Sequence, residues 1–222
     1  MKKLYKLDNI NLNYKVNGND IRVLKNINFE IKKNERVALI GESGSGKTSL
    51  LMLMSGLENP SAGSIIFQDK DFSKISEEQK TSIRKKKIGL VFQQFYLIPN
   101  YTALENVMFP MQINKIKNEK EKATLILSEI GLENRKNNLP SELSGGEQQR
   151  VAIARAISFY PEVILADEPT GNLDRKNTEL VSNLLINYSK KKKISLFLVT
   201  HNISLAKKCD RVIKLFDGQI KN

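Results

Sequence analysis

Three short segments of this 222-residue chain are apolar at nearly every position, without the alternation of a half-exposed strand. They span residues 37–40, 163–166 and 194–200. Continuous apolar runs of this length are typical of strands covered on both faces, as in a mainly parallel sheet between helices. Each run is followed by polar residues, and ligands of open α/β sheets bind at the carboxyl ends of strands. The pattern therefore predicts a parallel α/β core with its functional site at one edge of the sheet.

Hairpins are predicted near both ends of the chain. Strand-like residues 12–16 and 21–24 flank the turn sequence Asn-Gly-Asn-Asp at 17–20, and residues 212–216 run into an Asp-Gly pair. Such pairs favour tight turns because both residue types tolerate positive φ angles. We therefore expect antiparallel strands at the margins of the core.

From about residue 94 to residue 143 the apolar positions follow helical spacing. Residues 103–107 form one such stretch, and residues 119–130 form another that ends at Gly131. No internal repeat or Pro-rich linker divides the chain, so we expect one domain over residues 1–222 with a helical subdomain inserted in it. The predicted division is 1–92 and 151–222 for the antiparallel strands and the core, and 93–150 for the helical subdomain.

The chain is strongly basic, with 36 Lys and Arg against 24 Asp and Glu and a formal net charge of +12. Part of the excess lies in two runs, residues 84–87 and 190–193, which each precede a strand-like segment. Nucleic acid or anionic lipid could be the partner of such runs. The runs contain no aromatic residues and the chain is rich in Lys and Asn throughout, so we favour solvated faces and keep both partners as alternatives.

Several classes of protein are not favoured by the sequence. No apolar stretch approaches the roughly 20 residues of a membrane span, and the N-terminal residues are too polar for a signal peptide. Cys209 is the only cysteine, so an intramolecular disulfide is excluded and we expect a reduced thiol. The expected location is the cytosol.

The segment Gly-Glu-Ser-Gly-Ser-Gly-Lys-Thr at residues 41–48 fits a phosphate-binding loop between a strand and a helix. Glycines let backbone N–H groups close around phosphate oxygens, the helix start adds partial positive charge, and Lys47 adds a full charge. Thr48 would offer its hydroxyl to Mg²⁺. We expect a nucleoside triphosphate to bind here, the alternative being a glycine-rich turn. The candidate binding residues are Gly41, Glu42, Ser43, Gly44, Ser45, Gly46, Lys47, Thr48 and Ser49.

Two other apolar runs end at residues that could act on a bound triphosphate. Residues 163–166 lead into Asp167 and Glu168, and residues 194–200 lead into His201, the only histidine. Because side chains alternate along a strand, we expect the two carboxylates to differ in role. Asp167 would hold Mg²⁺, Glu168 would polarise the attacking water, and His201 would contact the γ-phosphate. The alternative for the acidic pair is a turn before Pro169.

A second anion-binding helix start follows about a hundred residues after the loop, in the sequence Leu-Ser-Gly-Gly-Glu-Gln-Gln-Arg at residues 143–150. Ser144 is a good N-cap, and we expect Gly145 and Gly146 to leave backbone N–H groups uncovered. Two such sites in one small chain suggest a nucleotide shared between chains. A capped helix without a ligand is the alternative.

These motifs together resemble the nucleotide-binding subunits of ABC transporters over essentially the whole chain. The family's motifs occur in order, and their matches here are Walker A at 41–48, the Q-loop at Gln93, the signature at 143–148, Walker B at 163–167, the D-loop at 172–174 and the switch His201. The resemblance implies ATP and Mg²⁺, catalytic roles for Lys47, Gln93, Glu168 and His201, and metal contacts from Thr48, Gln93 and Asp167. It also implies a P-loop NTPase fold with a RecA-like core.

The resemblance further implies that the signature closes on ATP held by a second copy of the chain. The residues concerned are Ser144, Gly145, Gly146 and Glu147, together with Asp174 of the D-loop. Tyr14 resembles the aromatic residue on which family members stack adenine, with a surface tyrosine as the alternative.

Within the family, residues 93–107 and 169–174 are similar to the MacB, LolD and FtsE group. The resemblance implies contact with a membrane permease between Phe95 and Tyr101, at the inner face of the cell membrane. We expect an ATPase that drives lipoprotein release or macrolide or peptide export, with FtsE-like signalling in cell division as the alternative. Nucleic-acid-associated relatives carry two cassettes or long coiled coils, which are lacking here, so no nucleic acid is expected.

Overall fold

The computed structural model describes residues 2–16 and 18–221, and the side chain of Val16 is also outside the description. Within these ranges ten strands and seven α-helices are present. The strands are β1 (Lys3–Val16), β2 (Asn19–Lys32), β3 (Arg36–Ile40), β4 (Ala62–Phe67), β5 (Lys70–Asp71), β6 (Ile88–Val91), β7 (Val163–Asp167), β8 (Ser195–Val199), β9 (Arg211–Phe216) and β10 (Gln219–Lys221). The α-helices are α1 (Lys47–Ser55), α2 (Glu77–Lys87), α3 (Ala103–Ile113), α4 (Glu119–Glu129), α5 (Gly145–Ile157), α6 (Arg175–Lys192) and α7 (Ile203–Ala206).

The N-terminal strands form an antiparallel sheet of order β2-β1-β4-β5. The predicted hairpin is confirmed, although Asn17 of its turn lies outside the described residues. Both strands are 14 residues long, far longer than the pattern indicated. Asn9 and Asn26 adopt positive φ angles of 49° and 52° where the register shifts. Such irregularities break the apolar alternation, which is why the sequence pattern revealed only one end of each strand.

The central sheet has the order β10-β9-β3-β8-β7-β6. Neighbouring strands are parallel from β9 to β6, and only the C-terminal hairpin partner β10 is antiparallel within the described part of this sheet. The predicted mainly parallel core is thus confirmed. Because β8 lies between β3 and β7, the carboxyl ends of all three strands adjoin, and the segments that follow them meet at one edge.

Side chains of the central strands pack into two apolar clusters, one on each face of the sheet. Along β7, Val163 and Leu165 join the cluster beneath the antiparallel sheet and α1, whereas Ile164 and Ala166 join the cluster beneath α3 to α6. Since both faces are buried, each position must be apolar, which explains the lack of alternation.

The helical part contains α3 and α4 as predicted, and Gly131 ends the second of them with a φ of 72°. The boundary that we placed after residue 150 falls inside α5, which continues into the core. Helix α2 was not predicted, because only Lys80 and Ile83 of its 11 residues are buried and no apolar stripe marks it.

The basic runs lie where the sequence indicated, immediately before β6 and β8, and the structure places them in the last turns of α2 and α6. Positive charge near a helix C-terminus is favourable because the macrodipole is negative there. Among the described residues, no helix is long and apolar enough to cross a membrane.

Candidate functional site

The segment between β3 and α1 wraps closely around the start of the helix. Gly44 and Gly46 adopt positive φ angles of 76° and 98°. A Cβ atom at Gly46 would lie 2.9 Å from Leu24 Cδ2 and 3.1 Å from the carbonyl oxygen of Val23, so a side chain there would collide with β2. Glycine at this position therefore sets both the turn and its contact with the antiparallel sheet.

The loop concentrates hydrogen-bond donors and positive charge. Lys47 is buried, and its Nζ donates to the carbonyl oxygens of Gly41 at 2.9 Å and Glu42 at 2.7 Å. Gly46, at the N-cap of α1, provides no side-chain acceptor, so the first backbone N–H groups of the helix are free of a cap. This arrangement is suited to binding phosphate.

A cavity of about 510 Å³ opens over this loop and collects side chains from four other parts of the chain, which are β2, the segment after β6, the end of β7 and the segment after β8. The size lies within the usual range for small-molecule sites. A groove of about 550 Å³ between α4, α5 and α6 is slightly larger, but it holds neither the glycine-rich loop nor the paired carboxylates. The lining residues of the smaller cavity are Val23, Gly41, Ser43, Gly44, Gly46, Lys47, Thr48, Ser49, Gln93, Asp167, Glu168 and His201.

Two of the proposed phosphate-loop residues do not line the cavity. The carbonyl oxygen of Glu42 accepts a hydrogen bond from Lys47. The buried hydroxyl of Ser45 lies close to Gly41, since a Cβ atom added to Gly41 would be 2.8 Å from Ser45 Oγ. The Glu42 backbone and the Ser45 side chain therefore contribute to the shape of the loop.

Thr48 and Asp167 are in direct contact in the lining of the cavity. The Thr48 hydroxyl donates to Asp167 Oδ2 at 2.8 Å, and Asp167 Oδ1 is buried without a hydrogen-bond partner among the described residues. Burial raises the pKa of Asp167, with the Glu168 charge adding to the effect, while Thr48 and Lys47 oppose it. A buried carboxylate oxygen without a partner beside a hydroxyl fits a hard divalent cation such as Mg²⁺.

Glu168 and His201 form a second pair at the cavity. His201 Nδ1 lies 2.9 Å from Glu168 Oε2, and the backbone N–H of His201 donates to the same oxygen at 3.3 Å. Our explanation for the different directions of the two carboxylates was wrong, because β7 ends at Asp167 and Glu168 has a φ of 44°. A left-handed turn, anchored by the bond from the Glu168 N–H to the Val199 carbonyl at 2.9 Å, separates them.

Gln93 links the cavity to the segment before α6. Its Nε2 donates to Asn172 Oδ1 at 2.8 Å, and a Cβ atom at Gly171 would lie 2.8 Å from the same nitrogen. Asn172 follows the turn that begins at Glu168. The structure thus places the Q-loop glutamine next to the D-loop as well as in the cavity.

The signature segment is at the N-terminus of α5 and is absent from the cavity lining. Ser144 and Glu147 form a capping box, in which Glu147 Oε2 accepts from the Ser144 N–H and hydroxyl at 2.8 Å each. The bond from the Ser144 N–H is the main cause that lowers the pKa of Glu147. The N-cap prediction is confirmed.

Of the two glycines whose backbone N–H groups we expected to be uncovered, Gly145 is exposed and Gly146 is not. Gly146 is buried, and a Cβ atom there would lie 2.2 Å from Asn177 Oδ1. Asn177 in turn donates to Asp174 Oδ2 at 2.6 Å, and Asp174 caps α6. The start of α5 and the D-loop therefore pack side by side, and neither contributes a residue to the cavity lining of the same chain.

Tyr14 lies on the antiparallel sheet outside the cavity lining. Its hydroxyl donates to Glu58 Oε1 at 2.5 Å, and 38% of the residue is exposed. Partial burial and the Glu58 acceptor raise its pKa, and a hydrogen bond with Ser49 opposes them. The ring is thus held near the first turn of α1, and its contact with adenine stays a prediction.

Sequence reasoning missed three side chains that tie these motifs together. Arg155 of α5 donates to the carbonyl oxygens of Phe95, at 3.0 Å, and Tyr96. Gln149, fully buried on the same helix, donates to the Phe92 carbonyl at 3.3 Å. Asn177 is the third of these side chains. In the sequence, all three could be recognised only as polar residues among the inward-facing positions of helices, and that pattern does not identify the group to which each one bonds.

Comparison with known proteins agrees with this geometry. The family described as ABC transporter matches residues 24–171. The chain is 42% identical over 219 residues to the lipoprotein-releasing system ATP-binding protein LolD of Wigglesworthia glossinidia brevipalpis, which covers 98% of this chain and 96% of that protein. It is 41% identical over 209 residues to LolD of Koribacter versatilis (strain Ellin345), with 93% and 94% covered.

Two solved structures of the ATP-binding cassette MJ0796 are also similar, each with a TM-score of 0.91 over 98% of this chain and 97% of that one. The first, at 40% identity, is a dimer in a post-hydrolysis state bound to ADP and Pi, and the second, at 39% identity, is a dimer.

Thr48→Val keeps the shape of the side chain but removes the donor to Asp167 Oδ2. We expect the Mg²⁺ concentration needed for half-maximal triphosphate hydrolysis to rise about 10-fold or more, because the hydroxyl that we assign to the ion and the partner of a buried carboxylate are both lost. Hydrolysis is measured across a Mg²⁺ titration. Thr48→Ser, which keeps the hydroxyl, is the matched control, and equal Mg²⁺ dependence of Thr48→Val and wild type would contradict this assignment.

Proposed function

Because the chain belongs to the ABC transporter family, we propose that it is the ATP-hydrolysing subunit of a lipoprotein-releasing system, bound to a separate membrane permease. The family, the cassette fold and the hydrolysis of ATP to ADP and phosphate are established by the comparisons. The finer assignment is supported by identities of 42% and 41% to proteins named for lipoprotein release. Through its permease the chain would lie at the inner face of the cell membrane.

The residues of the cavity suit the hydrolysis of ATP. The loop N–H groups and Lys47 would hold the phosphates, and Glu168 would accept a proton from the attacking water. His201, in contact with the same carboxylate, would orient it and reach the γ-phosphate. Mg²⁺ bound with ATP would neutralise phosphate charge, and Thr48, Asp167 and Gln93 are the residues that would hold it.

The signature and the phosphate loop are separated within one chain, and this observation is the main support for an ATP site shared between two copies. Ser144 and Gly145 are exposed at the positive end of α5, while the catalytic side chains line a cavity that contains no residue of α5. One chain therefore holds both halves of a composite site but does not bring them together. A second copy, related head to tail, would place each signature helix on the ATP of the other chain, and Asp174 would approach with it.

An apolar groove of about 410 Å³ suits the permease. Tyr96 and Phe109 on its walls are 62% and 37% exposed. Of the stretch from Phe95 to Tyr101 that we predicted to meet the permease, Tyr96 lines this groove. The apolar and aromatic lining residues are Leu57, Ile88, Leu90, Phe92, Tyr96, Phe109, Pro110, Ile113, Ala156 and Phe159.

Arg155 also lines the groove and holds the Q-loop carbonyl groups against α5. A permease segment seated in the groove would therefore press on the helix whose other end is the signature. This continuity supports a mechanical link between the permease and the composite site.

Glu168→Gln should bind ATP but turn it over at least about 100-fold more slowly, because the acceptor for the proton of water is removed while the side-chain shape is kept. An ATP-bound dimer should then accumulate and elute as such in size-exclusion chromatography with ATP. Glu168→Gln combined with Ser144→Arg, which blocks the signature surface, should elute as a monomer. Monomeric elution of Glu168→Gln itself at saturating ATP would refute the closed dimer.

Mixing two inactive variants tests whether the site is shared. Lys47→Ala removes the phosphate contact and Ser144→Arg removes the signature surface, so neither homodimer has a working site. Each heterodimer regains one, and a 1:1 mixture should recover about a quarter of wild-type activity if the copies associate at random. Lys47→Ala mixed with Lys47→Ala plus Ser144→Arg is the control, and no recovery in the first mixture would exclude a shared site.

Phe109→Arg places a charge in the apolar groove and should abolish co-purification of the permease from detergent-solubilised membranes, because the charge would be buried in the interface. Leu125→Arg, at a leucine that is 60% exposed on α4 and absent from the groove lining, is the matched control. Retention of the partner by Phe109→Arg would contradict the docking site. Identification of a division protein as the co-purified partner would replace lipoprotein release with the signalling alternative.

A further inference from the structure

We propose that the amino-terminal edge of the central sheet binds anionic phospholipid headgroups at the membrane surface. We call this surface the basic edge and define it by residues 32–36, 84–87, 160–162, 190–194 and 207–211. The choice of a membrane as partner rests on the proposed function, because a permease-bound subunit works beside a bilayer.

The basic edge is created by the strand topology. Strands β9, β3, β8, β7 and β6 are neighbours in that order and all pairs are parallel, so the segments that precede them end at the same edge. These five segments contain fourteen Lys and Arg against three Asp and Glu. The excess of eleven compares with an excess of twelve in the whole chain. Most of the net positive charge of the chain is therefore gathered on one edge.

The three acidic residues of the edge already have basic partners. Glu162 contacts Lys33 and Lys87 at 3.1 Å each, Asp210 contacts Arg36, and Glu35 contacts Arg211. The remaining lysines include eight exposed ones without an ion pair among the described residues. They are Lys32, Lys85, Lys86, Lys190, Lys192, Lys193, Lys207 and Lys208.

Helix termini alone do not account for this surface. The macrodipoles of α2 and α6 favour positive charge in their last turns, but Lys32 lies at the end of a strand and Lys207 follows a helix of only four residues. At a spacing of about 4.8 Å between strands, the five segments cover roughly 20 Å. Neighbouring segments are closer together than the Debye length of about 8 Å at physiological salt, so the ammonium groups of adjacent segments act together on one charged surface.

The position of the edge favours lipid over nucleic acid. Arg84 and Lys85, at one end of the basic edge, also line the apolar groove that we assign to the permease. A partner embedded in the bilayer would bring the bilayer surface to that end. Tyr160, 52% exposed, is the only aromatic residue of the edge, whereas proteins that bind single-stranded nucleic acid stack bases on several.

Flotation of the purified full chain with phosphatidylcholine vesicles, with and without phosphatidylglycerol, tests the proposal. We expect binding only to the anionic vesicles at about 0.1 M salt, and its loss near 1 M, because the attraction is electrostatic. Four substitutions to Gln, one in each lysine-bearing segment, should weaken binding by up to about 1,000-fold. The positions are Lys32, Lys86, Lys190 and Lys207.

The matched control substitutes Gln at four exposed lysines outside the edge and changes the net charge by the same amount. These are Lys70, Lys74, Lys117 and Lys120. The proposal would be overturned by any of three results. These are equal weakening by the edge and control substitutions, binding to neutral vesicles, and tighter binding to a single-stranded RNA than to the anionic vesicles. Two double variants, Lys32 with Lys207 and Lys86 with Lys190, should each give a smaller loss and provide a second test if the quadruple variant is poorly folded.

ATP hydrolysis without vesicles is measured on the same preparations. It reports the proposed ATPase function separately, and it should be unchanged in every lysine variant because none of the substituted residues lines the phosphate-loop cavity. If the unsubstituted chain failed to bind the anionic vesicles while hydrolysis and permease co-purification were normal, the lipid surface alone would be refuted.

Discussion

The parallel pairing of β8 between β3 and β7 is the constraint on which the rest of the molecule depends. It brings Lys47, Asp167 and His201, which are far apart in sequence, to adjoining carboxyl ends, and it forces all three strands to be apolar on both faces. The same pairing collects the opposite ends of the strands into the basic edge. One topological choice thus produces a catalytic edge and a strongly charged edge on opposite sides of one sheet.

Around that sheet, hydrogen bonds and packing contacts made by side chains join the motifs to one another. Gln93 contacts Asn172, Asn177 packs between Gly146 and Asp174, and Gln149 and Arg155 bind backbone carbonyls next to the Q-loop. These contacts connect each motif to a neighbouring loop. The isolated subunit therefore contains the connections that a composite site between two copies would need.

Much of this architecture could be predicted from the sequence, because it follows from local rules. The apolar runs, the glycine-rich loop and the Ser144 cap depend on residues near in the chain, and each was found where expected. Helix α2 was not predicted because few of its 11 residues are buried. The full lengths of β1 and β2 were not predicted because irregularities at Asn9 and Asn26 interrupt the alternation of apolar and polar residues.

The features of the site that were not predicted from the sequence have a common physical cause. The turn at Glu168, the burial of Gly146 and the partners of Arg155 are all decided by residues distant in sequence. The gathering of the lysines is of the same kind, since no periodicity reveals which segments share an edge until the strand order is known.

The anchoring of Arg155 gives α5 the properties of a lever. Ser144 and Arg155 are separated by eleven residues, which at about 1.5 Å per residue places them roughly 16 Å apart along one rigid helix. A tilt of about 5° at the Arg155 end would move the other end by about 1.4 Å, enough to break a hydrogen bond to a phosphate oxygen. A small displacement at the groove lined by Tyr96 and Phe109 would thus be enough to open or close contacts at the far end of the helix without any unfolding.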